Sequence, residues 1–159
     1  MQETEAFTKA AERYMDTVYR VALAYSRKPE TADDVTQEVF LRLFRSDKQF
    51  NGEEHLKSWL IRVTVNECKR SFASRWNRMQ TLDEYAEKLS FSSDEESETF
   101  QIVMSLPRKY RMVIHLHYFE GYSTSEISQL LDIPVSTVCS QLSRGRKKLK
   151  DLLTEAENV

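Results

Sequence analysis

Residues Ser123 to Lys150 read STSEISQLLDIPVSTVCSQLSRGRKKLK, and this stretch predicts two helices joined by a tight turn. Ser123 and Glu126 have the spacing of a capping box, in which the hydroxyl and the carboxylate each accept a backbone N–H that the first turn leaves free. Isoleucine and leucine then recur at three- and four-residue spacing, as on the buried side of a helix. Pro134 disfavours helix at the residue before it but suits a first helical turn, so a second helix follows at once.

The second helix of this stretch has one apolar face and one face of short hydroxyls and cations. Its apolar residues recur at spacings of three, four and seven, and are therefore expected to face inward: Val135, Val138, Leu142 and Leu149. The opposite face carries Ser136, Thr137, Ser140, Arg144 and Lys147. Short side chains let a helix approach base edges closely, and cations further along it suit phosphates. This composition is typical of a recognition helix in the major groove of DNA.

Helix-turn-helix recognition of DNA requires both helices together. Taken alone, the second helix fits better with a basic amphipathic helix whose polar face simply meets water. The short helix and the three-residue turn before it favour the DNA-binding interpretation. The motif indicates a DNA-binding protein without saying which kind.

The chain of 159 residues has the composition of a helical protein. Glycine and proline occur only three times each, whereas 40% of the residues are hydrophobic and 30% are charged. So few helix breakers predict an all-α fold. The polar N-terminus and the lack of a long apolar run predict neither a signal peptide nor membrane insertion. Cys68 and Cys139 lie in no metal or redox spacing, which is typical of reduced thiols in a cytoplasmic protein.

A formal net charge of −2 hides a strong segregation of charge along the chain. Cations dominate residues 62–78 and 144–150, whereas residues 81–98 are acidic and rich in serine. Because 81–98 lacks apolar periodicity, we interpret it as a flexible linker. The prediction is two small helical domains, residues 1–80 and 99–159, with the helix-turn-helix in the second. The net charge predicts weak DNA binding by the free chain.

Apolar periodicity predicts further helices on both sides of this linker. They cover Phe7 to Ser26, Ala32 to Ser46, Ser58 to Arg78, Thr99 to Leu106 and Pro107 to Glu120. Thr31 is the expected N-cap of the second helix, and Gln49 to Lys57 is the expected loop before the third. Gly121 is the expected C-cap of the fifth. The residues expected to face inward include Val35, Val39, Leu43 and Phe44 in the second helix, and His117 and Tyr118 in the fifth.

The third predicted helix keeps a narrow polar stripe between two apolar flanks. The stripe consists of Arg62, Asn66, Lys69 and Trp76. The flanks consist of Trp59, Leu60 and Val63 on one side and Ile61, Val65, Cys68 and Phe72 on the other. Cations with aromatic and amide groups between them are suited to gripping DNA strands. The alternative is a core helix whose few polar residues find local partners.

Three segments in this order resemble those of a known protein family. They read DDVTQEVFLRLFR at 33–45, FNGEEHLKSWLIRVTVNECKR at 50–70, and LPRKYRMVIHLHYFEGYSTSEISQLLDIPVSTVCSQLSRGRKKLK at 106–150. The chain resembles an extracytoplasmic-function (ECF) sigma factor, a promoter-specificity subunit of bacterial RNA polymerase in the sigma-70 family. The resemblance implies a protein without catalytic activity or cofactor, which directs transcription initiation at particular promoters.

The resemblance also implies roles for individual residues. Contact with the clamp coiled coil of the largest polymerase subunit is implied for Asp34, Gln37, Glu38, Leu41 and Arg42. Capture of a flipped base and contact with the minus-ten strand are implied for Phe50, Asn51 and Gly52, with Arg62, Asn66, Lys69 and Arg70. Recognition of the minus-thirty-five element is implied for Ser136, Thr137, Ser140, Gln141, Arg144 and Lys147.

Further partners follow from the same resemblance. The second domain is expected to meet the flap of the second-largest polymerase subunit, and a separate anti-sigma factor, soluble or membrane-anchored, is expected to regulate the chain. Family members often carry a cation and an arginine where Cys139 and Gln141 stand here. Fewer charged contacts with the minus-thirty-five DNA are therefore expected, although glutamine can pair with adenine.

The alternatives to a sigma factor are a stand-alone helix-turn-helix regulator and an enzyme. A stand-alone helix-turn-helix regulator would usually dimerise to read paired half-sites, and it has no need for a cationic stripe beside a glycine loop. An enzyme would require a phosphate-binding glycine loop, an activated nucleophile or a metal cluster, and the sequence offers none of these. His115 and His117 point to different faces of a helix, which argues against a shared metal.

Overall fold

A computed structural model of the chain describes residues 4–74 and 94–157, and the regular structure in both ranges is helical. The predicted all-α fold is therefore confirmed. The chain divides into two compact units, Met1–Gln80 and Thr81–Val159. Most of the predicted linker, residues 81–93, lies outside the described residues, as do Trp76 and the end of the third predicted helix. None of the described helices has the length and apolarity needed to cross a bilayer.

The first unit is a bundle of three helices, each packed against the other two. They are α1 (Thr4–Ser26), α2 (Pro29–Arg45) and α3 (Glu53–Ser74). Their core consists of fully buried aliphatic side chains at three- and four-residue spacing, among them Val18, Ala22, Val39, Leu43, Ile61 and Val65. The periodicity of the sequence thus predicts the buried faces of this bundle.

All three helices of the first unit begin earlier than the sequence predicts, α1 at Thr4 rather than Phe7. Helix α2 starts at Pro29 with Lys28 as its N-cap, so the prediction of Thr31 as the cap was wrong. Proline at the first helical position has a backbone already suited to helix and lacks an N–H that would otherwise be free. Helix α3 starts at Glu53 rather than Ser58, directly after Gly52, which has φ of +93°. Acidic residues in the first turn favour this start through the helix dipole.

The second unit contains the helix-turn-helix and the helices that support it. Its elements are α4 (Asp94–Met104), α5 (Arg108–Ile114), a π-helical turn (His115–Phe119), α6 (Thr124–Leu131) and α7 (Val135–Glu157). Helix α7 packs against α4, α5 and α6. Helix α4 begins five residues before the predicted Thr99, within the segment interpreted as linker.

The π-helical turn replaces the last part of a helix that the sequence predicts to run from Pro107 to Glu120. A π turn carries one extra residue, which shifts every following side chain around the helix axis. Tyr118, predicted to face inward, is consequently 53% exposed. His115 is buried instead, with its ring stacked on Phe119 and its Nε2 atom 3.4 Å from Oε2 of Glu120.

Candidate nucleic-acid interface

The start of the helix-turn-helix is fixed by the predicted capping box. The Ser123 hydroxyl accepts the Glu126 N–H at 3.2 Å, and Glu126 Oε1 accepts the Ser123 N–H at 2.9 Å. The backbone hydrogen bond from Ser123, with that from its side chain, lowers the pKa of the Glu126 carboxyl below its usual value. These contacts satisfy two otherwise free N–H groups and set the direction in which α6 leaves the preceding turn.

The turn between α6 and α7 is closed by its own hydrogen bonds. Asp132 adopts the left-handed conformation with φ of 56°, and its N–H donates to the Ser128 carbonyl. The Ser128 hydroxyl donates to the Ile133 carbonyl at 2.5 Å. The chain therefore enters α7 in a defined direction, with Val135 at the corner. Val135 is 42% exposed, so the prediction that it faces inward was wrong, whereas Val138 and Leu142 are buried as predicted.

The outward face of α7 lines a groove of about 390 Å³. Five of the six residues predicted to read DNA from this helix line the groove: Ser136, Thr137, Ser140, Gln141 and Arg144. The sixth, Lys147, is exposed on the same helix. Lys109 and Tyr110 of α5 form the opposite wall, and sequence reasoning missed both. The groove combines hydroxyls, an amide and cations, which are the groups that contact base edges and phosphates.

Gly145 explains how α5 comes close enough to form that wall. A Cβ atom at this position would lie 3.1 Å from Ile114 Cγ1 and 3.3 Å from Tyr110 Cβ, which is tighter than ordinary packing. The absent side chain therefore lets α5 and α7 approach closely. The ammonium groups of Lys109 and Lys148 lie 5.1 and 5.8 Å from the centre of the Tyr110 ring. Positive charge is thus drawn to the ring beside the groove.

Helix α2 presents a second predicted surface, which we call the α2 face. It consists of Asp34, Gln37, Glu38, Leu41 and Arg42, which are exposed or half-buried along one side of the helix. Leu41 is 44% exposed, and beside it Phe44 is 48% exposed, so the prediction that Phe44 faces inward was wrong. At 100° per residue, Phe44 lies about 100° from the buried Leu43, at the edge of the core. Its ring contacts Phe7 of α1 at 5.2 Å between centroids.

The loop before α3 is held against the first two turns of that helix. The Asn51 N–H donates to His55 Nδ1 at 2.9 Å. The Phe50 ring meets His55 and Trp59 edge-to-face, at 5.3 and 5.5 Å between centroids. Gly52 supplies the positive φ that joins the loop to the helix. The loop therefore presents aromatic and amide groups on an ordered support.

The polar stripe of α3 continues from this loop along the helix. Arg62, Asn66, Lys69 and Arg70 are all exposed, as the prediction required. His55 and Trp59 precede Arg62 by seven and three residues, so they share its side of the helix. These six side chains form a surface that we call the strand face: His55, Trp59, Arg62, Asn66, Lys69 and Arg70. Sequence reasoning missed His55 and assigned Trp59 to an apolar flank, although their spacing relative to Arg62 and Asn66 was the signal.

The beginning of α3 is also tied to α1 by a tyrosine and an arginine. The Tyr14 hydroxyl donates to Glu53 Oε2 at 2.5 Å, and Arg13 Nε lies 3.7 Å from the same oxygen. Burial, followed by the hydrogen bond to Glu53 and its charge, raises the pKa of Tyr14 to about 12. These contacts fix Glu53 directly after the Phe50–Gly52 loop.

The described ranges, 4–74 and 94–157, hold no group of three or more His, Cys, Asp or Glu side chains able to bind a metal ion. His115 is buried, whereas the Nδ1 atom of His117 lies 2.8 Å from the Tyr122 carbonyl oxygen. Cys68 is buried and Cys139 is exposed. The surfaces described above carry hydroxyl, amide, aromatic and cationic groups, which are suited to binding macromolecules.

Each of the two units matches a different family model. A model described as Sigma-70 region 2 matches residues 10–78, and a model described as Sigma-70, region 4 matches residues 100–149. The chain belongs to the sigma-70 family. The region 2 match contains the α2 face and the strand face of this sigma factor, and the region 4 match contains its helix-turn-helix.

Curated relatives narrow the assignment to the ECF branch. The chain is 27% identical to the RNA polymerase sigma-H factor of Pseudomonas aeruginosa, covering 97% of the chain and 91% of that protein. It is 29% identical to the ECF RNA polymerase sigma-E factor of Escherichia coli K12, covering 92% of the chain and 86% of that protein. Its function is therefore promoter-specific transcription initiation by core RNA polymerase, and a stand-alone regulator is not favoured.

A solved structure shares the fold of this sigma factor. It is a co-crystal structure of the sigma factor RpoE of Bartonella quintana in complex with the anti-sigma factor NepR. The match has a TM-score of 0.72 at 17% sequence identity and covers 95% of the chain and 98% of that protein. Because the sequence identity is low, this match shows a shared fold and nothing further.

Proposed function

We propose that the two units divide the work of promoter recognition. The region 2 unit, within residues 1–80, docks on core polymerase through the α2 face and opens the minus-ten element with the strand face. The region 4 unit, within 99–159, reads the minus-thirty-five element with α7 and meets the flap of the second-largest subunit. The acidic segment 81–98 links them. The protein acts in the cytoplasm without cofactor or chemistry of its own.

The packing of the Phe50–Gly52 loop on α3 is the main support for the assignment of the minus-ten surface. The loop from Phe50 to Gly52 is packed on His55 and Trp59, and the same side of α3 continues into Arg62, Asn66 and Lys69. Holding an unstacked base costs a few kcal/mol, which a prepared site must offset. Aromatic and amide groups are suited to the base, and a row of cations is suited to the phosphates that follow it. Both parts lie on one helix face.

The α2 face has the composition of a protein-binding surface. It combines acidic and amide groups with Leu41, and Leu41 and the neighbouring Phe44 are two large apolar side chains that remain nearly half exposed. Such a patch with a polar rim is typical of a site for a protein partner. We assign it to the clamp coiled coil of the largest polymerase subunit. An anti-sigma factor, like the one bound by the similar RpoE, would inhibit by covering this or another polymerase-binding surface.

The groove on α7 supports recognition of the minus-thirty-five element. Ser136, Thr137 and Ser140 are short enough for close approach to base edges, and Gln141 can pair with adenine through its amide. Arg144, about one turn beyond Ser140, supplies a phosphate contact. Cys139 is exposed but carries no charge, so this helix makes fewer ionic contacts than a relative with a cation there.

Reconstituted transcription tests this function. The purified chain is mixed with core polymerase and genomic fragments, and run-off transcripts are compared with those made by core alone. We expect discrete transcripts that depend on the chain. The variant Leu41→Asp should abolish them by weakening core binding, whereas the matched variant Lys48→Ala should not. Core binding without any specific transcript would contradict promoter recognition, and failure to bind core would contradict the proposal as a whole.

A further inference from the structure

The π turn, His115–Phe119, connects α5 to the helix-turn-helix. Its backbone hydrogen bond runs from the Glu120 N–H to the His115 carbonyl at 3.2 Å. The Tyr122 N–H also donates back into the turn, at 3.0 Å. Ser123, the N-cap of α6, follows directly. The geometry of the π turn therefore sets the direction in which the helix-turn-helix leaves α5, and none of the roles proposed above uses it.

The side chains of His115 and Glu120 can meet only because the backbone forms a π turn. His115 Nε2 lies 3.4 Å from Glu120 Oε2, and the two side chains are 0% and 3% exposed. In an α-helix, residues five apart lie about 140° apart around the axis and point to different sides. A π turn brings them together, because its hydrogen bond joins residues i and i+5. The side-chain pair and the backbone hydrogen bond thus join the same two residues, and the pair favours the π turn over a continued α-helix.

The surroundings of His115 would suit an apolar side chain better than a polar one. Its ring meets Phe100 of α4 edge-to-face at 5.8 Å and is stacked on Phe119 at 5.2 Å between centroids. Within the described residues neither ring nitrogen makes a hydrogen bond. A buried polar atom without such a bond costs free energy that a leucine side chain would not. The ion-pair contact with Glu120, rather than packing, therefore explains why a histidine stands here.

The π turn also determines a contact with α7. The extra residue of the turn directs Tyr118 outward, where it is 53% exposed. Arg146 Nη1 of α7 donates to the Tyr118 hydroxyl at 3.1 Å. Arg144, two residues earlier on α7, lines the groove and points to the opposite side of the helix from Arg146. The hydrogen bond to Tyr118 therefore holds α7 from the side that faces away from the groove.

We propose that His115 and Glu120 are positioning residues for recognition of the minus-thirty-five element. They hold the π turn, the π turn places Tyr118 against Arg146, and this contact fixes the rotation of α7 about its own axis. Both side chains are buried, so they act without touching DNA. The inference rests on the proposed function, since α7 is the helix assigned to the minus-thirty-five bases. Base edges must be met at a defined angle, whereas nonspecific binding depends on phosphate charge. The pair should therefore affect specific binding alone.

Binding to two DNA duplexes separates positioning from folding. The full chain is titrated at low salt against the minus-thirty-five duplex of a promoter that gives run-off transcripts, and against a scrambled duplex of the same length. We expect His115→Leu to weaken binding to the promoter duplex about tenfold, the effect of losing one base contact, and to leave binding to the scrambled duplex unchanged. Glu120→Gln should lose less, because its amide can still donate to His115 Nε2. Equal losses on both duplexes would indicate a folding defect and overturn the positioning role.

A double-mutant cycle tests whether the pair acts through Tyr118. Tyr118→Phe removes only the hydroxyl that Arg146 contacts, and Thr154→Val removes an exposed hydroxyl near the end of α7 as a control. If His115 acts through this hydroxyl, the double variant His115→Leu/Tyr118→Phe should bind the promoter duplex no more weakly than His115→Leu alone. Losses that multiply would overturn this route, and Thr154→Val should change nothing.

The parent chain distinguishes this inference from the proposed function. A parent that binds both duplexes equally would count against the assignment of α7 to the minus-thirty-five element, and so against the proposed function. A parent that discriminates between the duplexes, with both His115→Leu and Glu120→Gln unchanged, would overturn only the positioning role.

Discussion

Arg42 Nη2 lies 2.5 Å from Glu67 Oε1, so an ion pair joins α2 to α3 inside the first unit. The Glu67 side chain is only 10% exposed, and Arg42 also lies 3.3 Å from Glu38. Arg42 belongs to the α2 face, yet its charge compensates a nearly buried carboxylate. Its replacement therefore affects folding as well as docking.

The variant Arg42→Ala should lose about 2 kcal/mol of unfolding free energy, because it removes the short contact to a nearly buried carboxylate and leaves the longer one from Arg70 to Glu67 at 3.6 Å. Urea denaturation measures the loss. Arg45→Ala, which removes an exposed cation from the same helix, should stay within about 0.5 kcal/mol of the parent. Equal stability of the two variants would show that the ion pair contributes nothing.

The Tyr14 hydroxyl should make the first unit sensitive to alkaline pH. Its pKa is raised from 10.0 to about 12, so the folded state keeps this proton more tightly than the unfolded state. The resulting stabilisation is fully present below pH 10 and is lost as pH rises towards 12. The stability of Tyr14→Phe should therefore be lower by about 1 kcal/mol at neutral pH and should converge with the parent above pH 11. A constant difference across this range would contradict the assigned cause.

The capping box should make the second unit sensitive to acid. The pKa of Glu126 is lowered, so its contribution is present above the ordinary carboxyl value of 4.5 and is lost as pH falls through the folded value. Ser123→Ala should cost about 1 kcal/mol at pH 7 while keeping part of this dependence, because the N–H of residue 123 remains. Glu126→Gln should remove the dependence. Thermal unfolding between pH 3 and 7 distinguishes the two variants.

The helices and their buried faces could be predicted because apolar periodicity reports burial directly. The helix boundaries were harder to predict. Pro29 and Thr31 are both acceptable at a helix start, and only the packing of α2 decides between them. The π turn at His115–Phe119 left no signal in the sequence. A period of 3.6 residues fits that segment almost as well, and the error becomes visible within the turn itself, where Tyr118 is exposed.

A candidate site could be predicted from the sequence where all its residues lie on one helix and recur with the helical period. The face of α7 follows from its own spacing, whereas Lys109 and Tyr110 reach the groove only because Gly145 lets two helices meet. The strand face was predicted in part. Placing the start of α3 at Ser58 put His55 in a loop, and so concealed that it shares a side with Arg62.

Asn66→Ala should impair promoter opening while leaving core binding unchanged, because Asn66 is exposed on α3 and the α2 face is untouched. Permanganate reactivity of unpaired thymines measures opening, and co-purification with core polymerase measures docking. Arg62→Ala should behave in the same way. Loss of both activities to the same extent would contradict the division between the strand face and the α2 face. As a control, Gln37→Ala should show the reverse pattern, with docking weakened first.

Arg144→Ala should flatten the salt dependence of binding to minus-thirty-five duplex DNA. The side chain is exposed and lines the groove on α7 beside the hydroxyls that approach the bases. Loss of one phosphate contact reduces the slope of log K against log salt by about 0.9, because one fewer counterion is released. Arg144→Lys keeps the charge and should keep the slope, although it loses bidentate geometry. Fluorescence anisotropy from 50 to 200 mM salt provides the slopes, and an unchanged slope for Arg144→Ala would show that this side chain does not contact the backbone.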